Sequence, residues 1–490
     1  MLFNSVEFIF TFLPVTLALF WVLLRFGNRP AALLLLLASL FFYGWWSPRH
    51  VVLLLASIAF NYGVGAALGR MRDARWRRLL LAFGIAVALG LLAFFKYADF
   101  ALASLSWLPG IDLEPLGILL PIGISFYTFT QIAFLVDAWR GEAREYDPVH
   151  YALFVTYFPH LIAGPILHHR EMMPQFKALR WEHLRADDIA VGLTIFIIGL
   201  FKKVVLADGV AGFVPYAFTP DVAPGLAAAW TGALAYTLQL YFDFSGYSDM
   251  AIGLSRLFGV DLPLNFASPY KATSIIEFWR RWHMTLSRFL RDYLYIPLGG
   301  SRHGGNRRYA NLLATMLLGG LWHGAGWTFL LWGALHGAYL AVNHLWRAAR
   351  SRLGRLPGES TRLGLIVAGG LTFLAVVTAW VPFRASSLAQ AGHVLAGMVG
   401  LNGLALPKPL EAGTLALAWC WIAGLLAVAW LAPNTQEIMA RHLPQMRRAV
   451  GAQGVLRWRL EPWYAAVAAL AAVVALGQLG QVSEFLYFQF

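Results

Sequence analysis

Charge is scarce in this sequence and cysteine is almost missing. Of 490 residues, 13% are Asp, Glu, Lys or Arg, against 59% hydrophobic and 15% aromatic, and the mean hydropathy is +0.61. That balance excludes a soluble globular chain of this length. The one cysteine, Cys420, excludes an intramolecular disulfide, and its apolar run disfavours a reactive thiolate. Acids are fewer than bases, 25 against 38, for a net charge of +13. The basic residues sit in short loops between apolar runs, however, which is the pattern of membrane topology determinants and not of nucleic-acid binding. The chain also lacks a Walker loop, a GxGxxG after a strand, an HExxH, a GxSxG elbow and any Cys-rich metal spacing. Nucleotide hydrolysis and serine hydrolysis are disfavoured accordingly, and neither a metal nor a bound cofactor is expected.

Apolar runs take the place of those motifs. A span needs about 20 apolar residues, and such runs fall at 7–26, 31–46, 50–69, 79–97, 116–137, 189–206, 227–256, 309–322, 325–346, 363–383, 412–432 and 463–481. The expected fold is an all-α polytopic membrane protein, a single membrane-embedded domain over 1–490 with about 11–12 spans plus re-entrant and interfacial helices. No stretch of a hundred residues is free of such a run, so no soluble catalytic domain is expected. The run at 7–26 lacks a basic leader and is too long for a cleavable signal; it reads as the first span. Placing the basic loop 70–78 in the cytoplasm makes the alternating path put most Lys and Arg inside and both termini outside. Two features resist that path. Lys202 and Lys203 fall near the outer end of a span, where snorkelling to the interface is the expected behaviour. The run 151–167, broken by Pro159 and Pro165, reads as re-entrant.

The segment 274–296 has another character. Ser274 to Glu277 matches a capping box. Ile275, Phe278, Trp279, Trp282, Leu286, Phe289, Leu290 and Tyr293 then share one face, with Arg280, Ser287, Arg288, Arg291 and Asp292 on the other. This predicts an amphipathic helix in the cytoplasmic interface, with His283 at the border of its faces.

Polar residues inside spans are functional candidates because burying them is costly. The richest stretch is a hairpin at about 309–346. Its first arm of about fourteen residues would reach only about 21 Å before the tip Gly319-Gly-Leu-Trp-His323-Gly-Ala-Gly326. Irregular backbone at membrane depth is tolerated only where it lines a cavity, so His323, flanked by Trp322 and Trp327, is placed in a polar cavity. Histidine suits proton transfer near neutrality. His336 in the second arm is a further pocket candidate, while His344 reads as structural. A second polar group, Tyr241, Asp243, Ser245 and Asp249, lies deep in the 227–256 run. Its carboxylates are expected to pair with Arg280 or Arg281, or to orient a histidine.

Together these residues resemble the membrane-bound O-acyltransferase family. The resemblance is carried by Phe278-Trp-Arg-Arg-Trp-His283-Met-Thr-Leu-Ser287, Arg291-Asp-Tyr-Leu-Tyr-Ile-Pro-Leu-Gly-Gly300 and Leu321-Trp-His323-Gly324. More narrowly, Pro121–Phe129, Tyr157–Pro165, Tyr241–Met250 and the closing Phe485–Phe490 are similar to the branch of that family that O-acetylates alginate. The resemblance implies a bacterial inner-membrane enzyme that takes acetyl from cytoplasmic acetyl-CoA and passes it outward to an exopolysaccharide. It implies His323 as the essential histidine and His283 as the second. Arg280, Arg281, Trp282, Trp322, Tyr241, Asp243, Ser245, Asp249 and His336 stand as candidate substrate-binding residues. Expected partners are periplasmic acetyltransfer proteins of the SGNH-hydrolase-like type and a polysaccharide synthase and export complex. Cellulose acetylation and D-alanyl transfer to teichoic acid remain open. A transporter of an acylated intermediate should show paired broken helices in related halves, and the sequence has one broken hairpin and no repeat.

Overall fold

The computed structural model describes residues 1–106, 108, 113–143, 147–183, 185–302, 304–352, 361–404, 409–442, 458–480 and 486. All regular structure among them is helical. Five helices are long and apolar enough to cross a membrane: Pro48–Arg70, Ala74–Leu105, Ala186–Ala211, Arg362–Arg384 and Gly413–Leu431. Phe8–Leu24, Asn28–Gly44 and Pro462–Leu476 are shorter apolar helices. The helix Leu226–Leu257 is as long as any, yet it carries Gln239, Asp243 and Asp249. Every residue from Thr231 to Ser255 is buried, so protein and not lipid surrounds it and its polar groups need not face hydrocarbon.

Two compact units account for the chain. The first comprises Met1–Leu200, Tyr247–Leu264 and Arg459–Gln481. Within it, Asp73 caps Ala74–Leu105 by accepting from the Arg75 and Trp76 amides at 2.8 and 2.9 Å. The run 151–167 falls in two short helices, Pro148–Thr156 and Phe158–Leu161, parted at Tyr157, and is buried except at the half-buried Ala152. Gly192 and Gly253 let two helices approach: a Cβ on Gly192 would lie 2.8 Å from the Gly253 carbonyl. Small residues at a helix crossing are the usual device for close packing where no water drives association.

The second unit comprises Phe201–Gly246, Asn265–Trp458 and Val482–Phe490. At its centre is an antiparallel hairpin, Gly305–His323 and Trp327–Arg352, turning through Gly324–Gly326. Its first arm has 19 residues, not the fourteen expected, because Gly305 to Arg308, though polar, already take helical geometry. The arms touch at backbone distance. A Cβ on Gly320 would lie 2.3 Å from the Phe329 carbonyl oxygen, and one on Gly333 2.4 Å from that of Met316.

The segment 274–296 is not one helix. It runs as Ile275–Arg281, breaks, resumes as Met284–Leu290 and ends in a wider turn, Arg291–Tyr295. At the break Trp282 is extended and His283 is left-handed, with φ 42°. Backbone bonds from a neighbouring strand of chain hold it: Ala267 N–H donates to Arg281 O, and Met284 N–H to Asn265 O, each at 3.0 Å. A left-handed non-glycine residue costs of the order of 1–3 kcal/mol, and periodicity carries no trace of such tertiary hydrogen bonds. The capping box is half formed. Ser274 accepts from the Glu277 amide at 3.2 Å, but the Glu277 carboxylate turns to the Thr273 amide and hydroxyl, both 2.9 Å, and to Arg281 at 2.7 Å. Burial pushes that carboxyl upward, and the Thr273 and Arg281 contacts outweigh it, holding it below the usual range.

Candidate active site

The break at His283 turns its ring inward. Instead of standing at an interface border on the donor side, His283 is fully buried, and its ring centroid is 6.5 Å from that of His323. Its Nδ1 lies 3.0 Å from Asn265 Oδ1. The same oxygen accepts from the Thr285 amide at 3.3 Å and from the Thr285 hydroxyl at 3.0 Å. A backbone N–H can only donate, so the Asn265 atom is the oxygen and His283 Nδ1 carries a proton. In the neutral ring, Nε2 then holds a lone pair, and that buried nitrogen has no hydrogen-bond partner among the described residues. Phe244 packs edge-on against the ring at 4.8 Å, and a charged imidazolium shut away from water would be costly there.

His323 ends the first arm of the hairpin and is 5% exposed. Trp322, Trp332 and Phe383 surround it, with ring centroids at 4.9, 5.0 and 5.2 Å. Gly324 follows in an extended conformation, and a Cβ there would collide with the Phe329 ring at 2.1 Å. Only glycine allows the turn to close so tightly over the histidine.

His336 is fully buried one turn beyond Trp332, with ring centroids 4.8 Å apart. The Trp279 indole donates to its Nδ1 at 3.3 Å, so this neutral ring carries its proton on Nε2. The two buried histidines are thus held in opposite tautomers, His283 by an acceptor and His336 by a donor.

Beside Trp279 opens a cavity of about 700 Å³. Arg280, Arg288, Arg291 and Arg308 line it together with Leu290, Met316 and Leu340, and among the described residues no acidic side chain lines it. His344, expected to be structural, is part of this wall and contacts Arg308. Guanidinium groups bind phosphates in paired hydrogen bonds, while the apolar wall suits an aliphatic arm. Trp279 faces the cavity and also reaches His336, so a single indole joins the arginine-lined space to that histidine.

The remaining candidates are dispersed. Arg281 is held by Glu277 at 2.7 Å and by the Ala267 carbonyl at 3.3 Å. Trp282 is buried in an aromatic cluster, stacked on Phe278 at 5.6 Å and near Trp380 at 4.9 Å. Tyr241 joins the edge of that cluster, 5.1 Å from Tyr270. Ser245 is buried, and its hydroxyl has no partner among the described residues. Asp249 belongs to the first unit, where it too is buried. Asp243 does not pair with Arg280 or Arg281; its partner is Lys203 at 2.6 Å. Nor does Lys203 snorkel: it is 2% exposed and also meets Asp208 at 2.8 Å. Two carboxylates within reach outweigh escape to an interface, since an ammonium buried without them would be far more costly. Lys202 bonds Thr435 at 2.8 Å. Of the closing motif Phe485–Phe490, all but Leu486 lies outside the described residues. No cluster able to hold a metal occurs among the described residues.

Sequence reasoning missed Asn265, which orients His283, and Trp332. Trp332 was within reach, because it stands four residues before His336 and so shares its helix face. Asn265 carried no such signal.

A helical protein of several spans, with enclosed histidines and an arginine-lined cavity, fits a membrane enzyme of group transfer. The model of MBOAT, the membrane-bound O-acyltransferase family, matches residues 127–354. The chain is 45% identical to "Peptidoglycan O-acetyltransferase" of Helicobacter pylori, over 83% of its own length and 81% of that protein. It is 43% identical to "Probable alginate O-acetylase AlgI" of Pseudomonas aeruginosa, over 86% and 81%. "Teichoic acid D-alanyltransferase" of Bacillus subtilis is more distant, 26% identical over 51% of this chain and 65% of that protein. The chain belongs to the membrane-bound O-acyltransferase family and is a multi-pass membrane acyltransferase.

Proposed function

We propose that this protein transfers acetyl from cytoplasmic acetyl-CoA to a hydroxyl acceptor, for O-acetylation of a polysaccharide outside the inner membrane. The observation that carries this reading is the arginine-lined cavity standing one indole away from His336 and linked through Trp279 and Trp332 to His323. The anionic phosphates of CoA dock on Arg280, Arg288 and Arg308, and the pantetheine arm lies along Leu290, Met316 and Leu340, with the thioester leading past Trp279. His323 takes the proton of the acceptor hydroxyl. The hydroxyl oxygen bonds to the acyl carbon, the carbon–sulfur bond breaks, and the proton ends on the departing thiolate. His283, with its lone pair on Nε2, stands beside His323 as a neutral hydrogen-bond acceptor for the incoming hydroxyl.

On this reading both termini face the periplasm, and a periplasmic acetyltransfer protein of the SGNH-hydrolase-like type receives the group for a polysaccharide synthase and export complex. The polymer is alginate, supported by the narrow motifs and by the alginate relatives. Peptidoglycan is a second reading, favoured by the 45% identity to a peptidoglycan O-acetyltransferase.

Purified protein in lipid nanodiscs, given acetyl-labelled CoA and mannuronate oligomers or peptidoglycan fragments, tests this. The expected result is thiol release that depends on a hydroxyl acceptor and is lost in His323→Ala. Turnover at the wild-type rate by a properly inserted His323→Ala protein would sink the assignment, and acetylation of one glycan only would settle the polymer.

A further inference from the structure

His336 and Trp332 share an unusual condition. Each is buried, at 0% and 1% exposure, and each carries a ring N–H without an acceptor among the described residues, Nε2 of His336 and Nε1 of Trp332. For His336 the proton's place is decided by Trp279, whose indole N–H can only donate and therefore occupies Nδ1 as acceptor. The two rings meet edge to face at 4.8 Å, and Trp332 lies 5.0 Å from His323. A buried donor left without an acceptor is costly. Two such donors stand on adjacent turns of one helix, one of them packed against His323, and each calls for an acceptor atom.

We propose that Trp332 Nε1–H and His336 Nε2–H receive the acyl carbonyl oxygen of the bound thioester and hold the negative charge that gathers on it during transfer. This deepens the acetyl-transfer reading and rests on it. As the acceptor's hydroxyl oxygen forms its bond to the acyl carbon, the carbonyl electrons move onto the oxygen between the two donors. They return as the carbon–sulfur bond breaks, while the hydroxyl proton passes through His323 to the thiolate. Neither donor gives up its proton. Both stay fixed in a water-poor surrounding, where preorganised N–H dipoles act most strongly on developing charge. Trp279 then has a second duty: its bond to Nδ1 keeps the proton of His336 on Nε2.

The test uses full-length protein in nanodiscs and acetyl-CoA carrying carbon-13 at the carbonyl. Trp332→Phe keeps the ring and removes the N–H. It is expected to lower kcat about 100-fold, the scale for loss of one oxyanion donor, with KM within about twofold. By infrared difference spectroscopy, the bound carbonyl stretch should lie below its frequency in an apolar solvent in the wild type and rise in Trp332→Phe. His336→Gln, which keeps an amide donor, should retain more activity and more of the shift than His336→Leu. An unchanged carbonyl frequency with kcat within twofold in Trp332→Phe would overturn the proposal, as would equal behaviour of the Gln and Leu variants. A wild-type protein that binds no thioester carbonyl at all would instead overturn the acetyl-CoA reading beneath it.

Discussion

Asn265 Oδ1 accepts from His283 Nδ1 at 3.0 Å while also accepting from the Thr285 amide and hydroxyl. One asparagine oxygen thus fixes both the tautomer of a buried imidazole and the start of the helix that follows it. Replacing it should misplace the lone pair without emptying the cavity. Asn265→Ala is expected to lower kcat at least about tenfold, the worth of a lost buried hydrogen bond, with the KM for acetyl-CoA unchanged. Wild-type kcat in a well-inserted Asn265→Ala protein would show that the tautomer of His283 is irrelevant to transfer.

The ion group of Lys203, Asp243 and Asp208 predicts an asymmetry in stability. Lys203→Met leaves Asp243 buried opposite no cation, a loss of about 3–5 kcal/mol, and should lower the melting temperature in detergent markedly. Lys203→Met combined with Asp243→Asn should recover part of that loss, because the uncompensated charge is gone. If the double variant melted no higher than Lys203→Met alone, the pair would not be the source of the effect.

Helix contact in the hairpin makes a third case. A Cβ on Gly333 would lie 2.4 Å from the Met316 carbonyl, so Gly333→Ala must push the arms apart and displace Trp332 with them. A destabilisation of about 1–3 kcal/mol is expected, accompanied by loss of transfer. Gly413→Ala, at a helix position with nothing within 4 Å, serves as the control and should melt as the wild type does.

Charge at the cavity gives a prediction that salt can read. Arg280 is exposed and lines the cavity, so Arg280→Glu should raise the KM for acetyl-CoA about tenfold or more at low ionic strength and leave kcat nearly unchanged. Added salt should narrow the gap between variant and wild type, since exposed charges are screened beyond about 10 Å at 0.1 M. A KM equal to that of the wild type in low salt would place the CoA phosphates elsewhere.

Much of the architecture could be read from residue order. Apolar runs marked the spans, and the hairpin with its glycine tip stood out because Gly319-Gly-Leu-Trp-His-Gly-Ala-Gly326 interrupts an apolar pattern that has no other reason to break. The site was half legible. His323 and His336 follow from local placement on two adjoining arms. The sequence pattern sets His283 at an interface, since Ile275 to Tyr293 reads as one continuous amphipathic helix when only its 3.6-residue period is considered, whereas the structure buries it. The break at residues 282–283 depends on Asn265 and Ala267, which lie well outside any window over that segment.

The same division holds for the whole protein. Sequence alone determined that the chain lives in a membrane, that it is helical and that a histidine sits at a glycine-bounded turn, because hydropathy, period and backbone freedom are properties of neighbouring residues. Only the tertiary structure decided which nitrogen of His283 and of His336 carries the proton, and that Lys203 pairs with Asp243 when an arginine was the expected partner. Hydrogen bonds and ion pairs of that kind join residues tens to hundreds of positions apart. Their outcome is set by competition among all the donors, acceptors and charges that folding brings into one dry interior, and a run of neighbours holds no record of that competition.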